Sequence, residues 1–357
     1  MKPQAPSRFS YFSSQTQSVE TSPTFDGLLA SSAVKLPLSE EERQPNGDVW
    51  WLDVYDATEE DVNAVSDAFN IHPLTTEDVT LREKREKVEL FRTYYFISFR
   101  ILVSDAEAAG CPSSAEFYIL VFYNGAVTFS PQGCVHVDRV RARIRKLQDP
   151  AMLSSDWICY ALIDDIVDSF EPFMRAASLE AEAIEDQVFI ARVDDAKLLI
   201  PRVDSLRKKI THLIHCLSGK GDVLNGFVKR CKAKDKHPVF PEGDLLMYLG
   251  DVQDHLVTTM SNLSHFDEIV GRSQANCLAH LSATNLRMSL NINKVISKVS
   301  VLATIFVPMH LVTALWGMNV EVPGQETHGL AWFFGIFGVL MAFMVLFVFV
   351  SGRLKLL

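Results

Sequence analysis

Two long runs near the carboxy-terminal end carry no charged side chain: Val299 to Val320 and Gly329 to Gly352. Each has the length and apolar content of a helix that crosses a bilayer. Upstream of the first run, apolar residues recur at three- and four-residue steps. They go from Leu245, Leu249, Val252, Leu256, Met260, Leu263, Phe266 and Val270, through Cys277, Leu281, Met288, Ile292 and Val295, to Val299. This is a helical seam, and no proline interrupts it between Asp244 and Pro308. The pattern predicts one rod of about 100 Å at 1.5 Å per residue, so stalk and first span form a single element.

The pattern between 47 and 150 is different. Val49 to Val54 reads as a strand, and Thr58 opens a capping pattern before Val62, Val65 and Phe69 on one helical face. His72-Pro73 breaks that helix, and Thr75 to Asp78 starts a short second one. Val88 to Val103 and Ala115 to Ser130 are β-rich, the latter holding the hairpin signal Asn124-Gly125. His136 to Leu147 reads as a basic helix, so at least four strands and several helices form a mixed α/β domain. From Ser154 the pattern is helical: one long helix from Asp156 to Val193, a second from Pro201 to Leu217, a turn at Gly219 to Asp222, then a third helix.

Residues 1–46, rich in Ser, Pro, Thr and Gln, read as a disordered arm. The expected organisation is therefore a 1–46 arm, a 47–150 α/β domain, a 151–239 helical region and a 240–298 stalk. Spans follow at 299–320 and 330–352, joined by a 321–329 loop and ending in a 353–357 tail.

Charge orients the spans. Lys294 and Lys298 precede the first and Arg353 and Lys355 follow the second, while the connecting loop has no Lys or Arg but holds Glu321 and Glu326. The positive-inside rule then puts both termini in the cytoplasm. The net charge of −10 argues against a general nucleic-acid-binding role. Six scattered cysteines without a CxxC suit a reducing compartment.

Asn293, Ser297, Ser300, Thr304, His310 and Thr313 give the first span a polar side, extended by Ala303, Val307 and Ala314; the second span is apolar all round. Two readings stand: hydroxyls bonded back to their own helix beside a Pro308 kink, or a pore-lining stripe. Two helices cannot enclose a pore, so the second reading requires an oligomer. With no Asp, Glu, Lys or Arg in either span, no charge-neutralising exchange site is visible. Neutral oxygens suit a cation that keeps its waters, as Mg2+ does. Downhill influx of a divalent ion gains roughly 4.6 kcal/mol per 100 mV, twice the single-charge value.

The tripeptide Gly317-Met318-Asn319, set directly after the first of two carboxy-terminal spans, resembles the signature of CorA-type magnesium transporters. Thr304 to Pro308 and His72 to Asp78 agree with it, and Leu249 to His255 with Trp316 to Gln325 resemble the fungal branch, which includes aluminium- and manganese-resistance transporters. The resemblance covers about 48 to 357. It implies a funnel-shaped homopentamer with a cytosolic αβα domain and a long stalk continuous with the pore-lining span, the second span lying outside. Gly317, Met318 and Asn319 would form the outer mouth. The pore-lining positions would be Asn293, Ile296, Val299, Ala303, Val307, His310 and Ala314, with Asn293 as the cytosolic ring and Val299 and Val307 as apolar constrictions.

His310 departs from the Thr or Asn usual in the family. A ring of imidazoles would favour softer ions such as Zn2+ or Ni2+; a His310 bonded to a neighbouring helix is the other reading. The family is also closed by regulatory Mg2+ held by carboxylates, for which the stalk offers Asp244, Asp251, Asp254, Asp267 and Glu268.

Other clusters read as structural: an acidic helix face at Glu180 to Asp186, surface histidines 212, 215, 255, 265 and 280, and a short basic cluster from Lys229 to Lys236. Nothing resembles an enzyme's catalytic arrangement. Three functions remain: a channel for hydrated Mg2+ gated by cytosolic Mg2+, a transporter of another divalent metal (Zn2+, Mn2+, Ni2+, Co2+), and a membrane-anchored coiled-coil scaffold. The plasma membrane is the expected location, with vacuolar or mitochondrial inner membrane as alternatives.

Overall fold

Side chains alternate between two cores across one mixed sheet. In the computed structural model, which describes residues 7–31, 34, 48–103, 112–147, 153–190, 193–232, 245–324 and 329–353, seven strands form this sheet. They are β1 (Phe9–Ser13), β2 (Val19–Ser22), β3 (Trp50–Tyr55), β4 (Lys87–Leu90), β5 (Tyr94–Val103), β6 (Ser113–Phe122) and β7 (Gly125–Ser130). Their order is β2-β1-β3-β7-β6-β5-β4, and β3–β7 is the parallel pair. Trp50, Tyr94, Phe96, Tyr118, Leu120 and Phe122 face one core, while Trp51, Tyr95, Ile97, Phe117, Ile119 and Val121 face the other. This is the period-two pattern of strands buried on both sides.

Three helices cover the first face: α1 (Phe25–Leu29), α2 (Glu59–Phe69) and α3 (Pro73–Thr80). Thr58 caps α2, accepting from Asp61 N, while the Asp61 carboxylate accepts from the Thr58 backbone N–H at 3.0 Å. The second face is covered by α4 (His136–Ile144), α5 (Ser155–Asp168), α6 (Glu171–Ile190) and α7 (Val193–Lys232), with the first part of α8 (Leu245–Trp316). The last helix is α9 (Ala331–Arg353). By its contacts the chain divides into one unit of 1–191 with 197–274 and another of 192–196 with 275–357.

Three sequence expectations are corrected. Residues 9–29 are not a disordered arm: they supply β1, β2 and α1, because Phe9, Tyr11, Phe12, Phe25 and Leu28 are all buried. Most of the rest of 1–46 lies outside the described residues. The helix expected from Asp156 to Val193 is broken at Ser169–Phe170, where Phe170 turns into the core. Gly219 to Asp222 is not a turn but part of α7, which is continuous through Pro201 to Lys232. Lys220 explains the continuity: it is fully buried, donates to the Cys216 carbonyl at 2.8 Å, and pairs with Glu86 ahead of β4.

The Asn124-Gly125 signal marks a hairpin for a different reason from the one expected. The loop residues are Tyr123 and Asn124, and Gly125 begins β7 opposite Phe122. A Cβ on Gly125 would lie 2.2 Å from the Trp50 indole, so glycine is required by the neighbouring strand rather than by the turn.

Candidate functional site: the end of α8 and its partner helix

Helix α8 is 72 residues long and contains Pro308. Among the described residues two helices, α8 and α9, are long and apolar enough to cross a membrane. In the second unit, Val301 and Ile305 are buried, and Met309 and Val312 are half-buried. Steps of four, four and three place these four on one side of the helix. Val312 and Trp316 continue along it to a cavity of about 610 Å³ shared with Trp332, Gly335, Ile336 and Val339 of α9. That side of α8 therefore faces α9.

At 3.6 residues per turn, Ile296, Ala303, Val307, His310 and Ala314 lie more than about 140° round the helix from it. All five are exposed. Asn293 and Val299 are exposed too, toward the flanks of that opposite side.

Two of the hydroxyls bond back to their own helix. Thr304 Oγ1 donates to the Ser300 carbonyl at 2.8 Å, and Thr313 Oγ1 donates to the His310 carbonyl at 3.0 Å. Such a back-bond spends the proton and leaves the oxygen lone pairs free to accept. Pro308 has no N–H, which removes the donor that the Thr304 carbonyl would meet in an unbroken helix.

Helix α8 stops at Trp316, four residues before the end expected of the span. Gly317 N donates to the Thr313 and Ala314 carbonyls at 3.0 and 3.1 Å, closing the last turn. Met318, Asn319 and Val320 then lie exposed in a bend. Gly324 has φ +96, and a Cβ there would sit 2.4 Å from the Trp332 ring. Trp316, Trp332 and Gly324 were not singled out as a set from sequence; the signal was two tryptophans at the ends of apolar runs, as at membrane–water boundaries.

The stalk carboxylates are dispersed. Asp244 lies outside the described residues. Asp251 is 4.0 Å from His255, which is also 4.0 Å from Asp168 on α5. Burial, with Asp164 nearby, raises the Asp168 pKa. Asp267 meets Arg207 Nε at 3.5 Å, and Asp254 and Glu268 are exposed. Among the described residues of one chain, no three His, Cys, Asp or Glu side chains gather to hold a metal. Glu180, expected on a solvated face, instead reaches Arg202 and Lys209 on α7 at 3.4 and 3.8 Å.

A family model described as CorA-like Mg2+ transporter protein matches residues 46–353. The chain belongs to this CorA-like family. The family consists of ion transporters, not enzymes. The protein C27B12.12c of Schizosaccharomyces pombe is 44% identical over 340 residues, covering 94% of this chain and 41% of its own length. Magnesium transporter ALR2 of Saccharomyces cerevisiae is 36% identical over 389 residues, covering 98% of this chain and 45% of its own. This CorA-like chain thus spans less than half the length of these relatives, which belong to the fungal branch of the family. The complete structure of the CorA magnesium transporter from Methanocaldococcus jannaschii aligns with a TM-score of 0.63 at 15% identity, covering 97% of each chain. At that identity the likeness is one of fold.

Proposed function

We propose that the protein is a divalent cation channel that carries hydrated Mg2+ down its electrochemical gradient into the cytosol. The observation that carries this reading is the α8 side turned away from α9, free of charged side chains from Val299 onward and ending at Gly317-Met318-Asn319. In a single chain such a surface would meet lipid; around an axis of copies it lines a pore. Neutral oxygens and small side chains then pass an ion that keeps its water shell, and the divalent charge supplies the driving force.

In this reading the assembly is a homopentamer shaped as a funnel, with both termini cytoplasmic and the plasma membrane as its site. Asn319 with Gly317 and Met318 forms the outer mouth, and Asn293 the inner ring. Cytosolic Mg2+ closes the channel through carboxylates among Asp244, Asp251, Asp254, Asp267 and Glu268, bridged to a neighbouring copy.

The test is Mg2+ flux into liposomes holding the full chain, with Asn319→Ala beside wild type. Wild-type flux that falls at least tenfold in the variant is expected. Equal flux in both would remove Asn319 from the mouth, and no divalent flux in either would leave a membrane-anchored scaffold.

A further inference from the structure

Between Lys298 and Glu321 the chain has one side chain that ionises, His310. An ionisable group inside an apolar span is expensive unless it meets a partner or a water-filled path. His310 is exposed on the side of α8 turned away from Val301, Ile305, Met309 and Val312. Among the described residues its ring has neither a hydrogen bond nor an ion pair; the Thr313 hydroxyl bonds to its backbone carbonyl, not to the ring. A histidine bonded to the neighbouring helix of its own chain is therefore not what the structure holds. The α9 helix could not supply a charged partner at that depth, since Ala331 to Gly352 contains no charged residue.

We infer that His310 is the residue that sets which divalent cation the pore holds, ligating borderline-soft ions such as Zn2+, Ni2+ and Co2+ directly through imidazole nitrogen. This rests on the transport reading, which supplies the water-filled path. Neighbouring pore-side positions are Val307 and Ala314, one turn to either side, and neither offers a ligand. The imidazole is thus the one nitrogen donor facing the path.

Nitrogen donors bind Ni2+ and Zn2+ far more strongly than Mg2+, which prefers oxygen and dehydrates reluctantly. An ion that exchanges water for imidazole dwells in the pore, whereas hydrated Mg2+ passes. Conduction needs binding weak enough to be released. Zn2+ and Ni2+ should therefore compete with Mg2+ at low concentration.

The experiment pairs two measurements on the full chain, wild type against His310→Thr and His310→Asn. The first is Ni2+ binding in detergent by calorimetric titration, which needs no transport. The second is Mg2+ flux into liposomes at rising Zn2+. Wild type is expected to bind Ni2+ at a site that both variants lose. The Zn2+ concentration that halves Mg2+ flux should rise roughly tenfold or more in the variants, a usual cost of disturbing a metal site.

Ni2+ binding unchanged by both substitutions overturns the inference. So does Mg2+ flux that Zn2+ inhibits equally in all three proteins, and that result leaves the transport reading intact. Absence of Mg2+ flux from wild type overturns the transport reading itself and the inference with it.

Discussion

Tyr95 on β5 donates its hydroxyl to the carboxylate of Asp156 at 2.8 Å, joining the sheet to the first turn of α5. Burial pushes the Asp156 pKa up to about 6, against the lowering effect of that hydrogen bond. Ionised Asp156 is thus costlier in the folded chain than in the unfolded one. Its contribution to stability is complete below an unfolded pKa near 4 and is lost as pH rises through about 6. Asp156→Asn keeps an acceptor for Tyr95 and removes the charge. The variant should be more stable than wild type at pH 7.5, by about 1–3 kcal/mol, with the gap closing as pH falls to 4.5. Melting of the detergent-solubilised chain across that range checks it; a gap that widens toward acid would contradict the assignment.

Glu86 and Lys220 form the buried pair that keeps α7 helical through two glycines. The Lys220 ammonium lies 5.4 and 5.8 Å from the Phe99 and Phe170 rings, and burial draws its pKa down while Glu86 opposes the shift. Removing one partner strands the other, so Glu86→Leu alone should cost about 3–5 kcal/mol. The double replacement Glu86→Leu with Lys220→Met should cost much less than the two single changes together. Chemical denaturation of the four proteins measures the difference.

Gly125→Ala should destabilise the α/β unit by roughly 1–3 kcal/mol through overpacking. The new Cβ would strike the Trp50 indole, itself stacked on Phe69 at 5.2 Å. The companion change Trp50→Phe in the Ala variant should recover part of the loss; if it recovers none, the strain lies elsewhere.

Gly324→Ala should shift the emission of Trp332 and cost about 1–2 kcal/mol for the left-handed backbone alone. Both follow from φ +96 and the 2.4 Å approach to the Trp332 ring. An unchanged emission spectrum would show that the loop and Trp332 adjust independently.

Much of this architecture was legible along the chain. The β-rich runs 88–103 and 115–130, the cap at Thr58 and the three- and four-residue seam of α8 are local patterns, and each produced the elements it implies. The misreadings share a cause. Residues 9–29 looked polar because serine and threonine dominate, yet a few aromatic residues suffice when β1 finds β3 as a partner, Phe9 opposite Val54. Gly219-Lys220-Gly221 looked like a turn because the compensating carboxylate, Glu86, is 134 residues away in the chain.

The candidate site divides in the same way. Charge-free length, the place of Gly317-Met318-Asn319 after the first span, and the one ionisable side chain within it are properties of the sequence alone, because a bilayer selects by composition over about twenty residues. Which side of α8 meets α9, and so which side is left for other neighbours, depended on the tertiary structure. Helical periodicity offers both sides of a uniformly apolar segment, and only the burial of Val301 and Ile305 chooses between them. His310 is on the side they leave free.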